Sequence, residues 1–295
     1  MQPIEEQVAV AGASLWTARQ GSGPALVLCH GGPGLWDYLA PVAAMVDDLT
    51  TVYRYDQRAC GRSSGEAAHD LATAVADLEA LRQHWRLARW VVGGHSAGAT
   101  LALAYCLTYP HEAAGLIYLS GTGLGEAWRS EYHANRDARL TPEGQARLAG
   151  LRQRRDAAQN EAQHTAYAAL DRAYCELLWS TDLALCAHDP EQARAVARTL
   201  FVGDLLPNYA VNQTLGAFQT RFTARADLPT RLAALQVPAL IAHGAADPRP
   251  PWIVYQLAGQ LPQARLAELS GVGHLPWLEH PALLRDALRR FLASL

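Results

Sequence analysis

The sequence predicts an α/β fold in which a mostly parallel sheet is flanked by helices and interrupted by a helical cap. Short apolar runs alternate with segments of helical periodicity over residues 25–119. Residues 124–227 are rich in Ala, Arg, Gln and Leu and contain no clear strand pattern. The alternation of strand and helix returns after Pro229, as expected of one core divided by an insertion. We therefore expect a core of residues 1–123 and 228–295 and a cap of residues 124–227.

The individual elements follow from local patterns. Apolar or alternating runs bounded by Gly, Pro or Ser predict strands at 7–11, 15–19, 25–29, 51–55, 90–93, 115–119, 237–243 and 265–269. Apolar residues at helical spacing predict helices at 36–49, 70–87, 97–109, 250–261 and 281–295. Strands that alternate with helices favour a parallel sheet covered on both faces.

Length and charge exclude several classes of partner. The chain has 295 residues, and 50% of them are hydrophobic, which is enough for one large core with a smaller inserted unit. The net charge is −3 and no long basic run is present, so nucleic-acid binding is not expected. No stretch is long and apolar enough to span a bilayer, and the first residues lack the apolar segment of a signal peptide. We expect no membrane association.

The cysteines indicate a reducing environment. Their number is five, which is odd, and no C-x-x-C spacing is present. This pattern favours reduced structural thiols over a disulfide framework or a metal site, so we expect a cytoplasmic protein that needs no metal or cofactor. The sequence makes no prediction about the oligomeric state.

The segment Gly94-His95-Ser96-Ala97-Gly98 carries the strongest chemical signal. It lies between an apolar run and a helical pattern, which predicts a strand, a sharp turn and a helix with Ser96 at the apex. Such a turn exposes the serine hydroxyl and directs the free N–H groups at the helix start towards an oxyanion. A turn of small residues that merely packs well is the alternative interpretation.

A serine nucleophile needs a base and an acid that orients the base. Asp247 follows the strand predicted at 237–243, and His274 follows the strand predicted at 265–269. Because active sites of such sheets form at the carboxyl ends of the strands, we predict His274 as general base and Asp247 as its orienting acid. The competing residues are His111, His243 and His280 as base and Asp227 as acid.

The segment His30-Gly31-Gly32-Pro33-Gly34 directly follows the strand predicted at 25–29. Acyl transfer requires two N–H donors aimed at the developing oxyanion. We predict that Ala97, the residue after the nucleophile, supplies one donor and that Gly32 supplies the other. Glycine in this loop lets the backbone approach a substrate closely.

Three motifs together carry a family resemblance: HGGPG at 30–34, DQRACGRS at 56–63 and GGHSAG at 93–98. Over roughly residues 20–120 and 235–295 the chain resembles the proline iminopeptidase (prolyl aminopeptidase) branch of the α/β-hydrolase superfamily. The resemblance implies an eight-stranded sheet and a helical cap over a Ser-His-Asp site. Esterases, amidases and lactone hydrolases share these motifs. We expect Asp56 and Arg58 to form a pair that braces the loop beneath the site.

Two departures from the family pattern bear on the substrate. The family usually carries Trp after the nucleophilic serine, where this chain has Ala97. Its peptidases bind the substrate's amino group with cap glutamates near a Trp-x-x-Trp-Glu-like segment, which residues 174–179 do not match. Glu176 is therefore a candidate only, with a solvated helix face as the alternative. The candidate pocket residues are Trp36, His95, Glu176, Trp179 and Trp277.

The favoured hypothesis is a cofactor-free serine hydrolase that acts on a small molecule or a short peptide. Ser96 would attack an ester, amide or N-terminal imino-peptide bond, and water activated by His274 would release the acyl-enzyme. Alternatives on the same residues are a proline iminopeptidase proper, a carbon–carbon bond or lactone hydrolase, and a haloperoxidase-like enzyme. A non-catalytic binding protein is the least favoured alternative.

Overall fold

The computed structural model describes residues 2–158 and 164–295. The strands in these segments are β1 (Ile4–Val10), β2 (Ala13–Gly21), β3 (Ala25–Cys29), β4 (Thr51–Tyr55), β5 (Trp90–His95), β6 (Ala113–Leu119), β7 (Ala239–Gly244) and β8 (Ala264–Leu269). The α-helices are α1 (Ala40–Ala43), α2 (Leu71–His84), α3 (Ala97–Thr108), α4 (Arg129–Asp137), α5 (Pro142–Ala158), α6 (His164–Ser180), α7 (Pro190–Arg198), α8 (Tyr209–Thr223), α9 (Leu228–Ala234), α10 (Trp252–Ala258), α11 (Pro276–Glu279) and α12 (Pro281–Leu292). Within the described segments, none of the helices has the length and apolar character needed to cross a membrane.

The strands form one sheet of eight in the order β1-β2-β4-β3-β5-β6-β7-β8. The pairs β1–β2 and β2–β4 are antiparallel, and every other neighbouring pair is parallel. This confirms the predicted mostly parallel, eight-stranded α/β sheet. β5 lies between β3 and β6, and all six of its residues are buried. The turn after β5 therefore opens at the middle of the sheet, among the carboxyl ends of its parallel neighbours.

Two apolar layers cover the two faces of the sheet. Alternate residues of β5 belong to different layers: Val92 packs in one and Val91 in the other. Leu101 of α3 joins the first layer, and Leu288 of α12 joins the second. Since successive side chains of a strand point to opposite faces, these helices must lie on opposite sides of the sheet. β5 is therefore packed between the two layers.

The segment between β6 and β7 contains helices and no strand in its described part, as the sequence predicts. Its described part contains six α-helices, α4–α9, and a short 3₁₀ helix, Ala184–Ala187. The five helices α4–α8, which lie within the predicted cap, are called here the inserted helices. Leu148, Leu151 and Leu177 form a small apolar cluster of their own. Residues 159–163 of the predicted cap lie outside the described residues, and the limits of the cap as a unit remain a prediction.

One predicted helix is much shorter in the structure. Helical spacing over 36–49 yields only the four-residue helix α1. The turns that follow are closed partly by i→i+3 bonds, such as those from Met45 N to Val42 O and from Val46 N to Ala43 O. The i→i+3 pattern keeps apolar residues on one side without a continuous α-helix, so the sequence periodicity overestimates the length of the helix.

Candidate active site

Ser96 occupies the turn between β5 and α3. Its φ of 56° and ψ of −121° lie outside the regions that a residue with a side chain normally adopts. A Cβ at Gly94 would overlap the carbonyl oxygen of Gly98, and a Cβ at Gly98 would overlap that of Cys29. Glycine is therefore required on both sides of the serine by close backbone approach. This is the sharp strand-to-helix turn that the sequence predicts.

Asp247 and His274 form a buried hydrogen-bonded pair. The distance from His274 Nδ1 to Asp247 Oδ2 is 2.6 Å, and the two residues are 3% and 4% exposed. Burial by itself raises the pKa of Asp247, but the neighbouring charges of His274 and Arg249 and the hydrogen bond from His274 hold it well below its usual value. Because an ionised carboxylate can only accept, Nδ1 carries the proton and Nε2 remains as the basic nitrogen.

The competing residues are placed less favourably. His243 is buried, but its Nδ1 lies 4.0 Å from Asp247 Oδ2, and its Nε2 lies 3.1 Å from the carbonyl oxygen of Arg249. Asp227 pairs with Arg225 at the surface, at 2.7 Å. His111 and His280 are exposed.

A hydrogen-bond relay connects the loops that follow β3, β5 and β8. The Gly31 N–H donates to Tyr38 Oη at 2.8 Å, and Tyr38 Oη lies 2.7 Å from His95 Nδ1. His95 Nε2 lies 2.9 Å from the carbonyl oxygen of His274. A carbonyl only accepts, so His95 Nε2 carries a proton and Nδ1 accepts from the tyrosine hydroxyl. Burial lowers the pKa of His95 far below its usual value, which keeps it neutral in this relay.

The Gly-rich loop lies directly against the serine. A Cβ added to Gly31 would stand 3.0 Å from Ser96 Cβ. His30 Nε2 accepts from the Gln57 N–H at 3.0 Å, and the Gln57 side chain donates to the His30 carbonyl at 2.6 Å. Gly32 has a φ of 125°, which only glycine adopts readily, and precedes a cis peptide bond to Pro33. The contacts between Gln57 and His30 thus hold the loop next to Ser96.

Asp56 and Arg58 brace neighbouring loops, but they do so with other partners. Asp56 pairs with Arg62 at 2.7 Å and accepts from the Asp37 N–H at 2.6 Å. Arg58 pairs with Asp77 at 2.6 Å. The expected pair between Asp56 and Arg58 is therefore corrected: Asp56 pairs within its own loop, and Arg58 pairs with a residue of α2.

A cavity of about 410 Å³ opens at the serine. Ser96, Ala97 and Gly32 line it together, so the expected nucleophile and both expected oxyanion donors face one space. Most of the opposite wall comes from α8 and from the start of α4. The residues that contribute there are Trp128, Arg129, Tyr132, Asn212, Gly216, Ala217, Gln219, Thr220 and Thr223.

None of the five candidate pocket residues lines this cavity. Trp36 is fully buried, with its ring 6.3 Å from that of Trp179, and donates from Nε1 to Leu200 O. Trp277 stacks on Tyr38 at 5.8 Å, and His95 lies in the relay beneath the turn. Glu176 faces Arg198 at 3.8 Å. Trp36 and Trp277 are buried and Trp179 is partly buried, and all three rings pack in the apolar layer that contains Leu288.

Three residues that no sequence pattern singled out support the site. Tyr38 completes the relay described above. The carbonyl of Asp182 accepts from the His274 N–H at 2.8 Å, and its carboxylate accepts from Arg249 at 2.8 Å. Their roles depend on contacts between segments far apart in the chain. Among the described residues, no group of three or more His, Cys, Asp or Glu side chains is arranged to hold a metal ion.

Comparison with known proteins agrees with the fold described above. A family model described as the alpha/beta hydrolase fold matches residues 24–281. A proline iminopeptidase from Lactobacillus delbrueckii subsp. bulgaricus is 29% identical over 285 residues, which cover 91% of this chain and 90% of the relative.

Two solved structures are similar over nearly the whole chain. One is a thermophilic esterase from Thermogutta terrifontis with malate bound, with a TM-score of 0.70, 22% identity and coverage of 100% and 99% of the two chains. The other is a proline iminopeptidase from Mycobacterium smegmatis, with a TM-score of 0.70, 21% identity and coverage of 99% and 98%. At these identities the likeness shows the shared fold. Since the family model spans most of the sequence, the chain belongs to the α/β-hydrolase fold family and is a hydrolase of that fold.

Proposed function

We propose that the protein is a cofactor-free serine hydrolase in which Ser96 is the nucleophile, His274 the general base and Asp247 its orienting acid. The observation that carries the proposal is the 2.6 Å hydrogen bond from the His274 ring to the Asp247 carboxylate. The backbone carbonyl of His274 also accepts a hydrogen bond from His95, the residue before Ser96. Structural pairs of buried His and Asp occur elsewhere in proteins. Here the His274 ring lies 4.6 Å from the ring of His95, the residue before a strained serine that faces a cavity, which favours a catalytic role.

The proposed reaction proceeds through an acyl-enzyme. His274 Nε2 accepts the proton of Ser96 as its oxygen attacks the substrate carbonyl, and returns that proton to the leaving group. Water then attacks the acyl-enzyme with His274 again as base. The N–H groups of Ala97 and Gly32 stabilise the negative oxygen in both steps. The first N–H groups of a helix have no partner within the helix, so that of Ala97 is available for this role.

The inserted helices are proposed to act as the cap of this site. α4 and α8 contribute most of the cavity wall that faces Ser96. In this proposal the described part of residues 124–227 forms the binding surface for a small-molecule or short-peptide substrate, and the sheet supplies the reacting groups. A cytoplasmic location is proposed on the basis of the five free, buried cysteines.

The nucleophile is tested with a fluorophosphonate probe, which reacts with activated serines. We expect stoichiometric labelling of the wild type and of Ser22→Ala, a substitution in an exposed turn, and no labelling of Ser96→Ala. Asp247→Asn is expected to lower kcat by about 10⁴-fold, because the amide cannot hold the same tautomer of the imidazole. Absence of wild-type labelling, or labelling that survives Ser96→Ala, would contradict the proposal.

Proline iminopeptidase activity is the second candidate, supported by the relative that matches over 91% of this chain. Prolyl naphthylamide and short acyl nitrophenyl esters distinguish it from esterase activity. We expect ester hydrolysis to dominate, because the described lining of the cavity contains no carboxylate that could bind a substrate ammonium group. Faster turnover of the prolyl substrate would favour the peptidase.

A further inference from the structure

The charged side chains that line the cavity at Ser96 all carry the same sign of charge. They are Arg129 and Arg249, and the lining includes no aspartate or glutamate among the residues described. The other polar groups are uncharged, such as the side chains of Thr100, Thr122 and Gln219. A charged substrate group would therefore meet a guanidinium at the cavity wall, so the two arginines are the residues to compare.

Arg249 is held by one end of its guanidinium. Nη1 donates to Asp182 Oδ1 at 2.8 Å and to Asp247 Oδ1 at 3.3 Å. The ring of Tyr132 lies 4.6 Å from Cζ, and the side chain is 12% exposed. No acceptor for Nε or Nη2 is found within the described segments. These two nitrogens form the edge of arginine that binds a carboxylate through two parallel hydrogen bonds.

The two carboxylates do not remove the preference for an anion at that edge. Asp182 and Asp247 both contact Nη1, where they fix the position of the group and leave the opposite edge of the guanidinium without a carboxylate partner among the described residues. A substrate carboxylate at Nε and Nη2 would gain charge-assisted hydrogen bonds. A substrate ammonium group would gain none there, because it and the two guanidinium nitrogens are all donors.

Arg129 is less suited to this role. It is paired with Glu126 at 2.6 Å, its Nη2 donates to Thr220 Oγ1 at 3.3 Å, and about half of its side chain is exposed. Solvent screens a charge in such a position, and the partner carboxylate compensates it. The preference of the cavity for an anion therefore depends mainly on Arg249.

We propose that Arg249 forms an anion-binding subsite and that the substrate is a small ester or amide bearing a carboxylate. This inference rests on the proposed serine hydrolase function and specifies its substrate class. The carboxylate pairs with Nε and Nη2 of Arg249 while the scissile carbonyl lies at Ser96. No bond to Arg249 forms or breaks in the reaction.

Matched substrates test the subsite. The mono-4-nitrophenyl esters of succinate, glutarate and adipate are compared with neutral 4-nitrophenyl esters of equal acyl length, and with ω-amino acyl esters that carry an ammonium group instead. Butyryl esters of 3- and 4-hydroxybenzoate place the carboxylate on the leaving group. In the wild type we expect the best anionic ester to exceed its neutral partner in kcat/KM, and the ammonium esters to be the poorest.

Substitution then assigns the preference to a residue. In Arg249→Gln we expect the ratio of kcat/KM for anionic over neutral ester to fall about 10-fold or more, and in Arg249→Lys to recover in part, because charge returns without the planar edge. The ratio cancels any general loss of catalysis that follows from the contact with Asp247. Arg289→Gln, which removes a surface ion pair with Asp48, is the matched control. An equal fall of the ratio in Arg129→Gln would overturn the assignment to Arg249.

A binding measurement remains if Arg249→Gln does not fold. Free glutarate is then compared with 5-aminopentanamide as a competitive inhibitor of neutral-ester hydrolysis by the wild type, with inhibition by glutarate expected. A wild type that hydrolyses neutral esters and reacts with fluorophosphonate, but shows no preference for the anion, would overturn this inference alone. A wild type that does neither would overturn the proposed function.

Discussion

The imidazole Nε2 of His95 lies 2.9 Å from the backbone carbonyl oxygen of His274. This bond joins the residue before the proposed nucleophile to the residue proposed as its base. Tyr38 extends the connection to Gly31, next to the proposed oxyanion donor Gly32. The three loops are thus positioned by one relay of neutral groups, which the reaction itself does not consume.

Tyr38→Phe is expected to lower kcat about 10-fold with little change in KM. The substitution leaves the Gly31 N–H and His95 Nδ1 without their partner, at a cost of about 1–3 kcal/mol, and loosens the alignment of the loops. Steady-state kinetics on a neutral nitrophenyl ester measures the effect. Tyr105→Phe is the matched control, since that hydroxyl donates to Glu79 at 2.8 Å on the far part of α3. An equal loss of kcat in both variants would show that the relay has no special role.

Gly94→Ala is expected to destabilise the fold by about 3 kcal/mol or more, because its Cβ would overlap the carbonyl oxygen of Gly98. Gly150→Ala serves as the control. Gly150 lies in α5 with no atom within 4 Å of an added Cβ, so alanine should be neutral or should stabilise the helix by up to about 1 kcal/mol. Urea denaturation followed by circular dichroism gives both values. A Gly94→Ala protein as stable as Gly150→Ala would refute the steric argument.

The stabilising effect of Asp247 is expected to depend on pH. The charges of His274 and Arg249 hold the pKa of the folded carboxyl below its usual value of about 3.9, despite burial. Its contribution to the free energy of unfolding is therefore complete above the unfolded-state pKa and declines as the pH falls towards the folded-state pKa.

Denaturation of wild type and Asp247→Asn across this range measures the contribution. We expect a difference of about 3 kcal/mol at neutral pH that shrinks once the pH falls below about 4. Asp227→Asn, at the surface, should show little difference at any pH. A difference between wild type and Asp247→Asn that grows on acidification would contradict the assignment of an ionised Asp247.

The five thiols are expected to be unreactive in the folded protein. All are buried and free, and burial raises the pKa of Cys29, Cys60 and Cys175 to about 12. Because the thiolate is the reactive form, a disulfide reagent such as 5,5′-dithiobis(2-nitrobenzoate) should modify the native protein slowly and all five cysteines after unfolding. Rapid reaction of even one equivalent of thiol in the native state would contradict this prediction.

The turn at Ser96 could be predicted because its signals are local. The signals are an apolar run just before the serine, one required glycine on each side of it, and a helical pattern just after it. The structure has β5 and α3 at those positions. The helical spacing of apolar residues over 36–49 predicts a helix that is much longer than α1. A chain of i→i+3 turns satisfies the same apolar pattern, and only the packing against the sheet selects between the two.

The sequence by itself determined the α/β class, the helical character of the segment before β7, and the order of a serine, an aspartate and a histidine on loops that follow three different strands. These properties depend on periodicity and on turn residues, which act over a few neighbours. Only the tertiary structure decided which side chains face the cavity. Trp36 lies in the interior with Trp179 packed against it, and Arg249 lies in the cavity wall, because burial depends on how the inserted helices pack over the sheet. That packing joins residues more than a hundred positions apart, a relationship that no local pattern contains.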